Sequence, residues 1–189
     1  MNILAFAGRR YTGKTKASSI VLELAPAFRR VSFSDAPREE FCKYHKLDIA
    51  ELLTPGVKER YRVAFIEFAE GRKEKDKYHW ANLLFEKVLS TDNIVIDDLR
   101  FIEELHTIIK NKGIVYKMQA ELEIRKQRGW IPNPYIDNDI TETEMDLSPY
   151  TFWELTKGGG IFNNEIGADT KLRGQLLSIM AIHFNKISV

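Results

Sequence analysis

Gly8-Arg9-Arg10-Tyr11-Thr12-Gly13-Lys14-Thr15 is the stretch that decides how this chain folds. It satisfies G-x-x-x-x-G-K-[ST] at every fixed position. Before it stands an apolar run, Asn2-Ile3-Leu4-Ala5-Phe6-Ala7, which reads as a buried strand. After it, Thr15 to Leu24 has helical character and stops before Pro26. Strand, glycine-rich turn and helix is the context in which this pattern cradles phosphates. The glycines let the backbone curl and point its N–H groups inward, and the helix turns the positive end of its dipole to the same place. Lys14 reaches the β- and γ-phosphates of a triphosphate, and the Thr15 hydroxyl can bind Mg²⁺. With glycine near 7% of residues, a chance match in a chain of this length has a frequency under about 1%.

Working outward, strands and helices alternate. Phe28 to Phe33 is a second strand, and Ser34-Asp35-Ala36-Pro37 opens a helix. Val57 to Glu70 and Tyr78 to Leu89 are helical by spacing, and Asn93 to Asp98 is the clearest buried strand. A helix over Phe101–Lys110, a strand over Ile114–Met118, a short strand at Ile161-Phe162 and a closing helix from Lys171 to Ile187 complete the order. The stretch from Ala120 to Tyr150 is polar, with Arg125, Lys126, Arg128 and Trp130 near its start, and an insertion of that length is usually either functional or disordered. The fold class expected is α/β. It is a three-layer sandwich of the P-loop type, with a mostly parallel five-stranded sheet, helices on both faces and a lid insertion.

The 189 residues make one domain, with a helical acceptor-binding region over about 35–90 and the lid over about 120–150. A net charge of +1 demands no nucleic-acid polymer, and no stretch is long and apolar enough for a membrane span. The single cysteine, Cys42, rules out an internal disulfide and favours a cytoplasmic, reducing setting. Cys42-x-x-His45 lacks a second pair of metal ligands, and His79, His106 and His183 have no triad partner.

Asp97 and Asp98 end the strand Ile94-Val95-Ile96, where ligands of parallel sheets bind. One of them serves the metal through water and the other caps the next helix; which is which stays open. Arg100 stands at the same mouth, suited to a two-pronged grip on phosphate or to a surface ion pair. GTPase readings fail: no Asn-Lys-x-Asp occurs, and Arg100 replaces the glycine expected after the carboxylate. A small kinase with a water-excluding lid fits better.

Four stretches give the whole chain a family resemblance. They are the loop, Ser34-Asp35-Ala36-Pro37-Arg38-Glu39, Asp98-Leu99-Arg100-Phe101-Ile102-Glu103-Glu104, and Asp139-Ile140-Thr141-Glu142-Thr143-Glu144. The chain resembles the phage and viral deoxynucleoside monophosphate kinases and their relatives, the animal-type phosphomevalonate kinases. Arg125-Lys126-Gln127-Arg128-Gly129-Trp130, Lys58-Glu59 and Arg62 resemble the latter group. Phe101 and Glu67 stand where that group has arginines, which fits a nucleobase-bearing acceptor better, and Thr15 stands where an Asp is common. Phe101, Tyr78 or Trp80 could stack on a base or simply pack in the core.

The resemblance implies ATP bound by Gly8, Arg9, Arg10, Tyr11, Thr12, Gly13, Lys14, Thr15 and Lys16. It implies an acceptor met by Arg38, Lys58, Arg62, Asp98, Arg100 and Glu142, and Mg²⁺ served by Thr15 with Asp97 or Asp98. Lys14, Arg100, Arg125 and Arg128 then carry catalysis. The expected activity is transfer of the γ-phosphoryl group of ATP to a (deoxy)nucleoside monophosphate. Phosphomevalonate is the alternative acceptor, and a non-catalytic ATP-binding module the alternative class. A homodimer is compatible with all three, and the sequence does not fix the oligomeric state.

Overall fold

The computed structural model describes residues 1–156, 159–165 and 169–184. Five strands, β1 (Asn2–Ala7), β2 (Phe28–Val31), β3 (Asn93–Leu99), β4 (Ile114–Gln119) and β5 (Gly160–Asn163), pair in the order β2-β3-β1-β4-β5. Every pairing is parallel. The helices follow as α1 (Lys14–Leu24), α2 (Asp35–His45), α3 (Ile49–Leu53), α4 (Pro55–Lys73), α5 (His79–Lys87), α6 (Ile102–Lys110), α7 (Leu122–Gln127), α8 (Pro134–Asp137), α9 (Ile140–Thr143), α10 (Pro149–Thr156) and α11 (Asp169–His183). The final residues of the expected closing helix, 185–187, lie outside the described residues.

The central strands are apolar almost throughout because both of their faces are covered. Leu4 and Phe6 of β1, Val95 of β3 and Met118 of β4 bury against Ala17 and Val21 of α1 and Leu176 of α11. The alternate residues Ile3, Ile96 and Val115 face the other way, the side on which α6 buries Leu105 and Ile108. The result is the α/β sandwich expected, with a sheet that is wholly rather than mostly parallel.

Two compact units divide the chain: Met1–Val31 with Ser90–Val189, and Ser32–Leu89. The second holds α2 to α5. Its core gathers around the buried Phe41, whose ring meets Phe65 and Phe68 at 5.5 Å each. Trp80 is buried and donates its indole N–H to the Ala69 carbonyl at 2.8 Å, as the packing reading of this residue expects. Cys42 is buried, and His45 lies 4.1 Å from the Phe41 ring. The unexpected α3 is capped by Asp48, which accepts from the Ala50 amide at 2.7 Å.

The stretch from Ala120 to Tyr150 folds as α7, α8, α9 and the start of α10. Two of its Asn and Asp residues cap single-turn helices: Asn133 accepts from Tyr135 N–H at 3.2 Å, and Asp139 from Thr141 N–H at 2.9 Å. No helix among the described residues is long and apolar enough to cross a membrane.

The register sets the stage for chemistry. Ala7, just before the loop, pairs with Leu99 on one side and Lys117 on the other. The β1–β3 pairing slips between Ala5, opposite Ile96, and Ala7, opposite Leu99, so Phe6 stands against both Asp97 and Asp98. Such a bulge beside the carboxyl edge of a sheet re-aims side chains.

Candidate active site

The loop after β1 curls as its glycines require. Gly8 has φ 130° and Gly13 φ 102°, and Tyr11 joins them at φ 62°. A Cβ on Gly8 would lie 2.3 Å from the Met118 carbonyl oxygen, and one on Gly13 1.9 Å from the Asn164 amide nitrogen. Among the described residues no side chain caps α1 and no acidic residue sits in its first turn. Its leading N–H groups therefore face the loop's concavity without a competing carboxylate of their own helix.

Lys14 is 8% exposed and donates to the carbonyls of Gly8 (2.6 Å) and Arg9 (2.8 Å). Burial pushes its pKa down to about 8, and Arg100 pushes the same way; Glu142, Asp97 and Asp98 pull upward. Lys14 is thus in electrostatic reach of every charged group that the β3 edge supplies. Thr15 is exposed in the first turn of α1. Lys16 points toward α11, where its ammonium pairs with Asp169 at 2.9 Å.

The insertion is tied to this loop from two directions. Arg125 is buried under the Trp130 ring, 4.9 Å from its centre, and donates to the Arg10 carbonyl at 2.9 Å. Arg128 donates to the carbonyls of Tyr11 (3.3 Å) and Asn164 (3.2 Å). Carboxylates answer the loop's own cations. Arg9 pairs with Asp146 through an Nε contact of 2.7 Å, Arg10 with Asp137 at 2.7 Å, and Arg100 with Glu142. Arg100 also donates to the Thr141 carbonyl at 2.8 Å. The Asp137 carboxyl is pushed up by burial, but the Asn133 amide, Arg10 and Trp130 together hold it below the usual range.

The entry to α6 is held by two glutamates. The amides of Arg100 and Phe101 donate to Glu104 (2.8 and 3.1 Å), and that of Ile102 to Glu144 of the insertion (3.0 Å). A carboxylate three residues into the helix reaches back, as in a capping box. Asp97 is buried and held by Arg30 of β2.

Lys117, Asn164, Asp137, Asp146 and Arg30 were not singled out by sequence. Lys117 interrupts an apolar strand; it is buried and donates to the Leu147 carbonyl at 3.0 Å, and burial lowers its pKa against the pull of Asp146. Asn164 donates to the Thr12 carbonyl at 3.0 Å. A cleft of about 440 Å³ opens beside the loop, lined by Arg9, Thr12, Lys117, Gln119, Arg125 and Asn164 among others. That volume suits a small molecule of nucleotide size.

The expected acceptor residues Arg38, Lys58 and Arg62 belong to the Ser32–Leu89 unit. Arg38 lies on α2 beside Asp35 at 3.4 Å. Lys58 and Arg62 share one face of α4, a turn apart, and Arg62 pairs with Glu59 at 2.9 Å.

Whether Mg²⁺ suits these residues can be judged from the donors. No group of three or more His, Cys, Asp or Glu among the described residues could hold a metal by itself. Mg²⁺ fits such a site, because it keeps several waters and takes the rest of its shell from one or two carboxylates and substrate phosphates. One oxygen of Asp97, Oδ2, is buried with no hydrogen-bond partner among the described residues, and Thr15 offers a hydroxyl. The donor set fits a nucleotide-borne Mg²⁺.

Comparison with solved structures places the fold. A gluconokinase from Sinorhizobium meliloti 1021 aligns over 97% of this chain and 94% of its own, at 12% identity and a TM-score of 0.54. A protein from Thermus thermophilus aligns over 95% and 96%, at 14% identity and a TM-score of 0.51. At these identities the likeness is one of fold. The family is given by sequence: the phosphomevalonate kinase family model matches residues 6–113, more than half of the 189, running from the strand before the loop to the end of α6. With its phosphate loop in the P-loop kinase fold, this small-molecule kinase belongs to the phosphomevalonate kinase family.

Proposed function

We propose that the chain transfers the γ-phosphoryl group of ATP to the phosphate of a (deoxy)nucleoside monophosphate. The observation that carries the phosphoryl-transfer reading is the gathering of Lys14, Arg100, Arg125 and Arg128 around one curled loop. Transfer between phosphates leaves little covalent work for a protein, so positioning and charge stabilisation dominate. The loop amides and Lys14 hold the β- and γ-phosphates. Thr15 with Asp97 or Asp98 would hold a nucleotide-borne Mg²⁺, which would supply neutralisation of phosphate charge. Arg125 and Arg128 meet the charge that develops on the moving phosphoryl group, a contribution worth about 10³–10⁵ in rate for arginines of this kind. The acceptor oxygen is already ionised near neutral pH, so no general base is required. Arg38, Lys58, Arg62, Asp98, Arg100 and Glu142 are the residues assigned to the acceptor, Glu142 acting through its hold on Arg100.

A second acceptor, phosphomevalonate, is favoured by the family match. Against it stand Phe101 and Glu67, which replace arginines of the animal-type enzymes with an aromatic ring and a carboxylate. An acceptor carrying both carboxylate and phosphate gains from those cations. Incubation of the full chain with ATP, Mg²⁺ and a panel of deoxynucleoside monophosphates and phosphomevalonate, with ADP as the readout, decides between the two. ADP formed with neither would reject both and leave an ATP-binding module.

A further inference from the structure

The sequence offers two carboxylates at the end of β3 and no way to choose between them. The structure shows how the first of them is held. The Asp97 side chain is 1% exposed; its Oδ1 accepts a hydrogen bond from Arg30 Nε at 2.9 Å and lies 2.9 Å from a terminal nitrogen of the same guanidinium. Its Oδ2 is buried and makes no hydrogen bond among the described residues. Arg30 comes from the neighbouring strand β2, in register with Val95, and its side chain is 51% exposed.

A cross-strand ion pair built only for stability would use both carboxylate oxygens, because a buried oxygen left unpaired has lost its water without a replacement. Arg–carboxylate pairs readily do so, two nitrogens to two oxygens. Here both nitrogens converge on one oxygen and the second is left bare. The bare atom sits at the register slip opposite Phe6, two residues before the phosphate loop, on a carboxylate that Lys14 senses. An orphaned acceptor in that place calls for a donor or a cation that arrives with the ligand.

We infer that Arg30 is a positioning residue that holds Asp97 by Oδ1 and so reserves Oδ2 for the hydrated Mg²⁺ of the bound nucleotide. The metal role falls to Asp97, and Asp98 is left to the acceptor. Outer partners that orient a metal-facing carboxylate typically change metal affinity by about 10–100-fold when removed. The inference rests on the nucleotide-loop reading above, and its test is built to fail separately.

The full chain is titrated calorimetrically with ADP in EDTA and again in Mg²⁺; the ratio of the two dissociation constants is the metal's contribution. Mn²⁺ binding to the ADP complex, read by electron paramagnetic resonance, gives a second measure. Arg30→Met and Asp97→Asn are each expected to cut the metal's contribution about 10-fold while metal-free ADP affinity stays within about twofold of wild type. Arg30→Lys retains part of it, since an ammonium can hold one oxygen, and serves if the methionine variant folds poorly. Asp98→Asn leaves the ratio nearly intact. A ratio unchanged in Arg30→Met overturns the inference, and so does one lost in Asp98→Asn but kept in Asp97→Asn. Equal loss of metal-free and metal-bound affinity overturns it too, since Arg30 would then be merely structural. Wild-type protein that binds no ADP at all would instead sink the loop reading, and this inference with it.

Discussion

Glu142 accepts the backbone N–H of Arg10 at 2.7 Å, which joins the insertion to the phosphate loop through the loop's own main chain. Its other oxygen meets Arg100, and its side chain is 1% exposed. One carboxylate therefore fixes both a loop amide and the arginine at the end of β3. The acidic character of the insertion has a local purpose: Asp137, Glu142 and Asp146 each answer a cation of the loop or its rim. Without those partners, Arg9, Arg10 and Arg100 would repel one another as well as Lys14.

Glu142→Ala is accordingly expected to destabilise the fold by about 1–3 kcal/mol, because it strips a buried amide and a guanidinium of their acceptor. Glu142→Gln should lose less, since its amide oxygen can still take the Arg10 N–H. Denaturant unfolding of both variants measures the difference. Equal losses would show that the bond to Arg10 contributes nothing.

Lys14 gives a pH signature of known sign. Its folded pKa, about 8, lies below the usual 10.5, so burying its charge costs most below pH 8 and the cost fades between about pH 8 and 10.5. Within that window Lys14 makes folding more favourable as pH rises. Phosphates brought beside it draw the proton back. Binding of MgADP at pH 8 should take up about half a proton, measurable by calorimetry in buffers of different ionisation heat. Lys14→Met should bind more weakly and take up none. Uptake that persists in this variant would assign the proton elsewhere. Lys14→Ala should abolish turnover with the fold intact.

The parts of the molecule that one sequence can disclose are those governed by short-range pattern. β1, β3 and β4 were legible because each is an apolar run closed by polar residues or glycine, and the loop because its glycines and lysine are fixed by backbone geometry. α3, α8 and α9 were not, since a single turn of helix has no periodicity to detect. The way Asp97 is held depends on the register slip opposite Phe6 and on Arg30, sixty-seven residues earlier, and neither leaves a local pattern. Lys117 carries no sequence signal of its own, for its partner Leu147 lies thirty residues on. The candidate Arg100, Arg125, Arg128 and Glu142 do assemble on the loop, but the bonds that place them are long-range and left no local trace.

Arg125 is expected to act on the transition state more than on binding. Its hold on the Arg10 carbonyl and its place against Trp130 keep the guanidinium at the loop. Arg125→Ala should lower kcat by about 10³-fold or more while the KM for ATP changes much less. A rise in KM with kcat preserved would make it a binding residue only.

Gly8 and Gly13 should differ in how they tolerate a methyl group. Both have positive φ, so alanine at either position strains the backbone, at a cost of about 1–3 kcal/mol. At Gly8 the new carbon would also strike the Met118 carbonyl oxygen, main chain at the end of β4 that cannot yield without disturbing the sheet. At Gly13 it would strike the Asn164 side-chain amide, which can be removed. Asn164→Ala alone loses a bond to the Thr12 carbonyl and should destabilise the protein. In the Gly13→Ala background the same change also relieves the clash, so its cost should shrink or reverse. Thermal unfolding of the two single variants and the double variant measures this coupling. Strictly additive losses would mean that the loop shifts to accept the methyl group, and that the contact between Gly13 and Asn164 does not hold its shape.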